Sequence, residues 1–355
     1  MAKRSLTDNE RQVLFGLVHR PGLNDRELSE ALGIKVSTVT AIRRRLRKAD
    51  YYTTRRIPMM NRIGWELLAA SHGRLSQTGG PNASAKLEEL LGDRFPTIFH
   101  FSDSPDHFFF LSMAKDYTAF RRDLEDLRLA LHKAGLLDDG TITTTIFPVG
   151  MTAIGNFFDY SHVLALAFGI EHRTSFGAQA GKVADIELSR KETDVLVGLV
   201  RYPELSDKAV AAKIKASRQA VSKLRREFEA TDLLRTVRIP NVRALGFELF
   251  ASTFNRFTPT ATIRARAEAI ERTLRITPQY FYATCNSESV LLGAVKSYEH
   301  FSSLRQTLAK HYEERGFLAG DATIHLGLVG ATNIHRSCDF GPMVAALKEF
   351  DPRPR

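Results

Sequence analysis

Two cysteines, Cys285 and Cys338, and one tryptophan, Trp65, are the whole supply of those residues in a chain of 355. Neither cysteine has a counterpart at the matching place in the first half, which argues against a disulfide framework and a symmetric thiolate metal centre. No apolar run approaches the roughly 18 residues a membrane helix needs. The N-terminus, Met1-Ala2-Lys3-Arg4-Ser5, leads into helix-like sequence without an apolar leader, so a soluble cytoplasmic protein is expected. Phosphate loops, nucleophile motifs and metal-ligand spacings are also missing. His100, His107, His300, His311 and His335 stand in no ligand-like pattern. The expectation is a protein with no metal, no cofactor and no catalytic residue, and so not an enzyme.

What is present is a duplication. Leu6–Ala69 aligns with Leu188–Ala251 at a constant offset of 182, without a gap and with about a third of positions identical. Val13/Val195, Gly16/Gly198, Asp25/Asp207, Arg43-Arg44/Arg225-Arg226, Asp50/Asp232 and Arg56-Ile57-Pro58/Arg238-Ile239-Pro240 are among the matches. The echo continues with small slips to Val149-Gly150 and Val329-Gly330. A module written twice implies a covalent pseudo-dimer; a further homodimer or higher assembly is left open. The net charge of +10 follows the repeat: residues 1–62 carry 14 Lys/Arg against 6 Asp/Glu and residues 187–243 carry 13 against 8, leaving the remainder mildly acidic. Positive charge confined to two copies of one segment is the footprint expected for double-stranded DNA.

In each basic segment the apolar spacing predicts three short helices. Pro21-Gly22 breaks the first, Gly33 ends the second, and Val39, Ile42 and Leu46 form the inward stripe of the third. This is the order of a helix-turn-helix. A third helix laid in the major groove offers its first residues to base edges and later arginines to phosphates or guanine. The candidate base readers are Ser37, Thr38 and Thr40, and in the second copy Arg218, Gln219 and Ser222. Arg43, Arg44, Arg45 and Arg47, with Arg225 and Arg226, are candidates for phosphate contact. Glu227 and Glu229 replace Arg45 and Arg47 in the second copy, predicting a weaker grip and unequal half-sites. The extended stretches after the third helices, Tyr51–Pro58 and Leu233–Pro240, carry Arg55, Arg56, Arg235 and Arg238 as wing or linker contacts.

Behind each segment the pattern becomes strand, helix, strand, strand, helix, strand: a ferredoxin-like split fold. The predicted class is α+β, with helix-turn-helix domains at 1–62 and 187–244, companion domains at 63–160 and 245–355, and a linker at 161–186. The repeated Val-Gly-x-Thr-x-Ile at 149–154 and 329–334 reads as a strand end and turn, or as the lining of an effector pocket. Strands such as Phe108-Phe109-Phe110-Leu111 leave aromatic sheet faces that call for cover.

The run from Ser37-Thr38-Val39 through Arg44-Arg45-Leu46 to Tyr51-Tyr52, Ile57-Pro58 and Ile63-Gly64, followed by the six-element domain, resembles the leucine-responsive, or feast/famine, family of transcriptional regulators. That resemblance implies a prokaryotic DNA-binding regulator whose companion domains pair and hold two reading heads about one helical turn apart on DNA. The family's usual glycine after the third helix is replaced by Asp50 and Asp232, and no residues for a small-molecule effector are assigned. An alternative resemblance is to siroheme decarboxylases, whose companion domains use His and Arg on tetrapyrrole carboxylates; His100 or His107 with Arg121 and Arg122 would take that role. A DNA-binding architectural protein without effector is a third reading.

Overall fold

Helix starts in this chain are written into its capping residues. Thr7 and Glu10 form a capping box, as do Asn24 with Glu27 and Ser189 with Glu192, each satisfying amide groups that a helix leaves unpaired at its first turn. The computed structural model describes residues 5–76, 82–92, 94–172, 183–184, 186–261 and 263–347, so residues 173–182 and 185 of the expected linker lie outside the described residues. The first half runs α1 (Asp8–His19), α2 (Asp25–Leu32), α3 (Val36–Lys48), β1 (Tyr52–Pro58), β2 (Leu67–Leu75), α4 (Ala83–Leu91), β3 (Ile98–Asp103), β4 (His107–Ala114), α5 (Tyr117–Lys133), β5 (Leu137–Pro148), β6 (Ala153–Gly155) and α6 (Ser161–Phe168). The second repeats it as α7 (Arg190–Arg201), α8 (Asp207–Ile214), α9 (Arg218–Ala230), β7 (Leu234–Pro240), β8 (Leu249–Arg256), α10 (Ile263–Ile276), β9 (Gln279–Thr284), β10 (Glu288–Val295), α11 (Tyr298–Glu313), β11 (Thr323–Leu328), β12 (Asn333–Arg336) and α12 (Gly341–Ala346). Asp50 and Asp232 adopt φ of 52° and 55°, a left-handed turn that Asp tolerates better than most side chains.

The chain divides into two compact units that cut across the repeat. Unit 1 comprises Met1–Thr54, Thr152–Ala180 and Thr236–Gly330; unit 2 comprises Arg55–Met151, Gly181–Arg235 and Ala331–Arg355. Each helix-turn-helix therefore belongs with the companion domain of the other half.

Within unit 1 an antiparallel sheet has the order β11-β8-β10-β9-β6. Its outer strand β6 arrives from the end of the first half and pairs Ala153 with Thr284 and Gly155 with Tyr282. A Cβ at Gly155 would stand 2.2 Å from the Tyr282 ring, so only glycine allows this approach. The following α6 packs on α1. Arg238, 9% exposed, donates from Nη1 to the Leu17 carbonyl at 2.7 Å.

Unit 2 is built reciprocally, with sheet order β12-β3-β4-β2-β5. Here β12, from the end of the second half, pairs Asn333 with Asp103, and α12 packs on α7. The buried Arg336 guanidinium donates to the carbonyls of Phe95 (2.6 Å), Ile98 (2.7 Å), Leu91 (3.0 Å) and Gly92, closing the C-terminal end of α4. Half-buried His335 contacts Asp103, which also accepts from Ser84 at 3.2 Å. Arg56, the counterpart of Arg238, donates to the Leu199 carbonyl at 3.4 Å, and Leu199 is the counterpart of Leu17. Phe101, Phe108, Phe110, Phe120, Leu127 and Leu131 form the middle of the core between sheet and helices.

Candidate functional site

The third helices bury the expected stripes, Val39, Ile42 and Leu46 in α3 and Val221, Leu224 and Phe228 in α9. Among the proposed readers, Ser37, Thr40, Arg218 and Gln219 are exposed, while Thr38 and Ser222 are half-buried. Arg44, Arg45, Arg47 and Arg226 are exposed as well.

Several of these groups are already engaged inside the protein. Asp25 pairs with Arg43 and accepts from Thr40 at 2.7 Å. Asp207 does the same in the second copy, accepting from Arg225 Nε at 3.0 Å and from Ser222. Burial raises the Asp207 carboxyl, but the hydrogen bonds and charge of Arg225, with Ser222 and Arg56, together outweigh it, and the pKa falls below the ordinary value. The identical Asp and Arg in both copies are thus a clasp between the second and third helices. Arg225 also meets Glu229 at 2.9 Å, and Arg45 pairs with the buried Glu10. Arg226 donates to the Ser222 carbonyl at 3.2 Å, and Arg235 pairs with Asp232 at 2.5 Å. Arg55 donates to the Ser337 carbonyl at 3.0 Å. Burial, followed by nearby Arg225, lowers the Arg56 pKa. Arg56 and Arg238 bond the helices α7 and α1, a use their extended context did not disclose.

The residues suggested for tetrapyrrole carboxylates lie in unlike surroundings. His100 is wholly buried, which pushes its pKa down to about 4. His107 sits 3.0 Å from Asp106, and exposed Arg121 pairs with Glu125 at 2.8 Å; Arg122 is exposed.

A chamber appears in the other companion domain. Between its sheet and the helices α10 and α11 lies a cavity of ≈ 450 Å³, within the range that receives small-molecule ligands. Leu291, Val295, Phe301, Leu304 and Leu308 supply apolar wall; Thr253, Asn255, Thr277 and Gln279 supply polar floor. Asn255 donates to Ser289 at 3.0 Å, and Thr273 and Tyr312 share a hydrogen bond of 2.8 Å. Burial raises the Tyr312 pKa, partly offset by the Thr273 bond, so the phenol stays protonated. The buried Gln279 Oε1 has no hydrogen-bond partner among the described residues. Arg305, Glu313 and Asp321 are exposed at the rim.

Strand pairing makes the two companion domains comparable position by position. Phe108 lies at the level of Ser289, Phe110 of Leu291, Gly73 of Asn255, and Ile98 of Gln279. In the first domain Phe108 covers Gly73, where a Cβ would meet the ring at 2.5 Å. The hollow beside Phe110, Phe120 and Leu124 there measures only ≈ 10 Å³. No cluster of metal-ligating side chains occurs among the described residues, and no described helix is long and apolar enough to cross a membrane.

No family model matches the chain, and no curated protein matches it. Among solved structures, the siroheme decarboxylase NirDL is similar over 96% of this chain and 99% of its own, at 12% identity and a TM-score of 0.53. NirDL in complex with an iron-uroporphyrin III analogue covers 91% and 92%, at 11% identity and a TM-score of 0.49. A Pyrococcus furiosus transcriptional regulatory protein of the AsnC family covers 41% of this chain and 89% of its own, at 20% identity and a TM-score of 0.30. The chain thus has a mixed α+β fold with ferredoxin-like sheets, and over 96% of its length that fold is similar to the fold of a solved enzyme. This overturns the expectation that the chain is not an enzyme.

Proposed function

We propose that the chain is an enzyme of siroheme-decarboxylase type, acting on a carboxylate side chain of a tetrapyrrole, with the chamber of the second companion domain as the place where that carboxylate is received. The observation that carries the reading is the divergence of two equivalent domains within a fold shared end to end with such an enzyme. One domain is closed by phenylalanines and the other holds a chamber. The engagement of Arg43 and Arg225 by Asp25 and Asp207 adds support, because it accounts for their identity in both copies without a nucleic acid.

Within the chamber the chain's own groups can bind and orient. Arg305 offers a guanidinium to a carboxylate, the Tyr312 phenol is a proton donor, and the apolar wall removes water from the bound group. Siroheme added anaerobically should change its Soret absorbance on binding, and mass spectrometry should detect product that has lost carbon dioxide. Absence of both would end the assignment.

DNA binding remains a second reading, favoured by the exposed Ser37, Arg44, Arg218 and Gln219 on the third helices. A gel shift that weakens steeply with salt would support it. Arg44→Ala should weaken binding to all sequences, and Gln219→Ala should alter sequence preference.

A further inference from the structure

We infer that the chamber of the second companion domain binds one apolar-bodied monocarboxylate group per chain, anchored by Arg305, and that the first companion domain binds none because Phe108 occupies the same space. This deepens the reading above, resting on it only for the placement of a carboxylate in this domain and not for the reaction.

The charge pattern on α11 selects the headgroup. Phe301, Arg305, Leu308 and Tyr312 follow helical spacing, and all four line the chamber. Arg305 thus takes the position where the first domain has Leu124, 8% exposed in its core, but is itself exposed at the chamber rim. An exposed guanidinium at a position that the first domain fills with leucine is open to a ligand, and Arg305 forms no ion pair among the described residues. Glu313 stands where the first domain has His132, exposed in both, and lies with Asp321 at the chamber rim. Arg305 is the one cation among the described residues lining the chamber, and with Glu313 and Asp321 also on the rim it has charge to balance one carboxylate and not several. A polyacid would therefore enter by one arm.

The floor selects the body behind the carboxylate. The first domain seals this position with Phe108 packed on Gly73, whereas the second places the Asn255–Ser289 hydrogen bond there. Grafting a large ring needs both changes at once, since any Cβ at the glycine position would meet it. The exchange of Gly and Phe for Asn and Ser accordingly separates a closed domain from an open one.

Isothermal titration of the full chain with decanoate, decylamine and decanol tests this. Decanoate should bind at about one per chain and more tightly than either analogue. Arg305→Gln should weaken decanoate at least tenfold while leaving decanol unchanged; its side chain is on the rim, so the result does not depend on core repacking. The double variant Asn255→Gly with Ser289→Phe should abolish decanoate binding while keeping the circular dichroism of the parent. A stoichiometry of two, tighter binding of decylamine, or unchanged decanoate affinity in Arg305→Gln would each overturn the inference. If decanoate behaves as stated and siroheme is not turned over, the tetrapyrrole reading fails and this one stands.

Discussion

The two companion domains share strand order, helix placement and register, yet one is filled and the other hollow. In the first, Phe101, Phe108 and Phe110 stack with ring centroids 5.9 to 6.3 Å apart. In the second, Tyr282, Ser289 and Leu291 take those levels, and space remains above Asn255 and Gln279. The difference teaches that a fold of this kind tolerates a cavity only where other contacts hold the sheet. An unfilled core loses both transfer energy and dispersion contacts. The second domain recovers part of this through polar pairs such as Asn255–Ser289 and Thr273–Tyr312.

Core truncation should separate the domains most. Phe108→Ala in the filled domain is expected to cost about 3–5 kcal/mol in urea unfolding. Leu291→Ala, whose side chain borders existing space, should cost clearly less than the usual ~2–5 kcal/mol for such a change. Equal costs would mean that the chamber is not open in solution.

A smaller effect comes from His100, the counterpart of Phe281 in the repeat. Burial lowers the His100 pKa from the ordinary 6.5 to about 4 in the folded state. Between those values the unfolded chain binds the extra proton, so stability is complete above the ordinary value and falls as pH drops towards about 4. The full difference is of the order of 3 kcal/mol. His100→Phe should flatten the dependence in that window; an unchanged slope would place its origin elsewhere.

The crossing arms allow a third comparison. Gly155→Ala forces a methyl into the Tyr282 ring and should destabilise unit 1 by about 1–3 kcal/mol. The counterpart position in the other arm is His335, already a side chain, and His335→Ala should act through its contact with Asp103 instead. Hydrogen exchange would report loosening of β9 in the first variant and of β3 in the second.

The smallest expected effect is at the helix clasp. The Asp207 carboxyl is held below its ordinary value, because burial, which raises it, is outweighed by the hydrogen bonds and charge of Arg225 together with Ser222 and Arg56. Its contribution is complete above the ordinary carboxylate range and is lost as pH falls through the lowered pKa. Asp207→Asn should remove that acid-side dependence at a cost of about 1 kcal/mol at neutral pH. A curve identical to the parent would show that the clasp adds nothing to stability.

Much of the local structure is legible in the residues. The strand His107–Ala114, helix Ala83–Leu91 and strand Gln279–Thr284 take their places in the expected element order, because alternation and helical spacing are properties of short segments. The repeated Val-Gly-x-Thr-x-Ile was harder to read. It does form a turn and short strand, but in unit 1 that strand adds to the other half's sheet. Nothing in a local pattern specifies which sheet edge receives it.

The arginines divide in the same way. Sequence supplies their number and placement on the third helices and linker strands, and hence a strongly basic surface expectation. Only packing reveals that Arg238 reaches the Leu17 carbonyl and Arg43 meets Asp25. Partner choice depends on which of several available acceptors lies within hydrogen-bond reach.

The sequence by itself determined the duplicated element order, the helix stripes, the ferredoxin-like strands and the charge confined to two segments. Tertiary structure decided the exchange of arms and linker contacts between halves, and which companion domain is hollow. Periodicity acts over a few neighbouring residues, whereas a chamber exists only when Asn255, Leu291 and Arg305, brought together from β8, β10 and α11, all leave the same space unfilled.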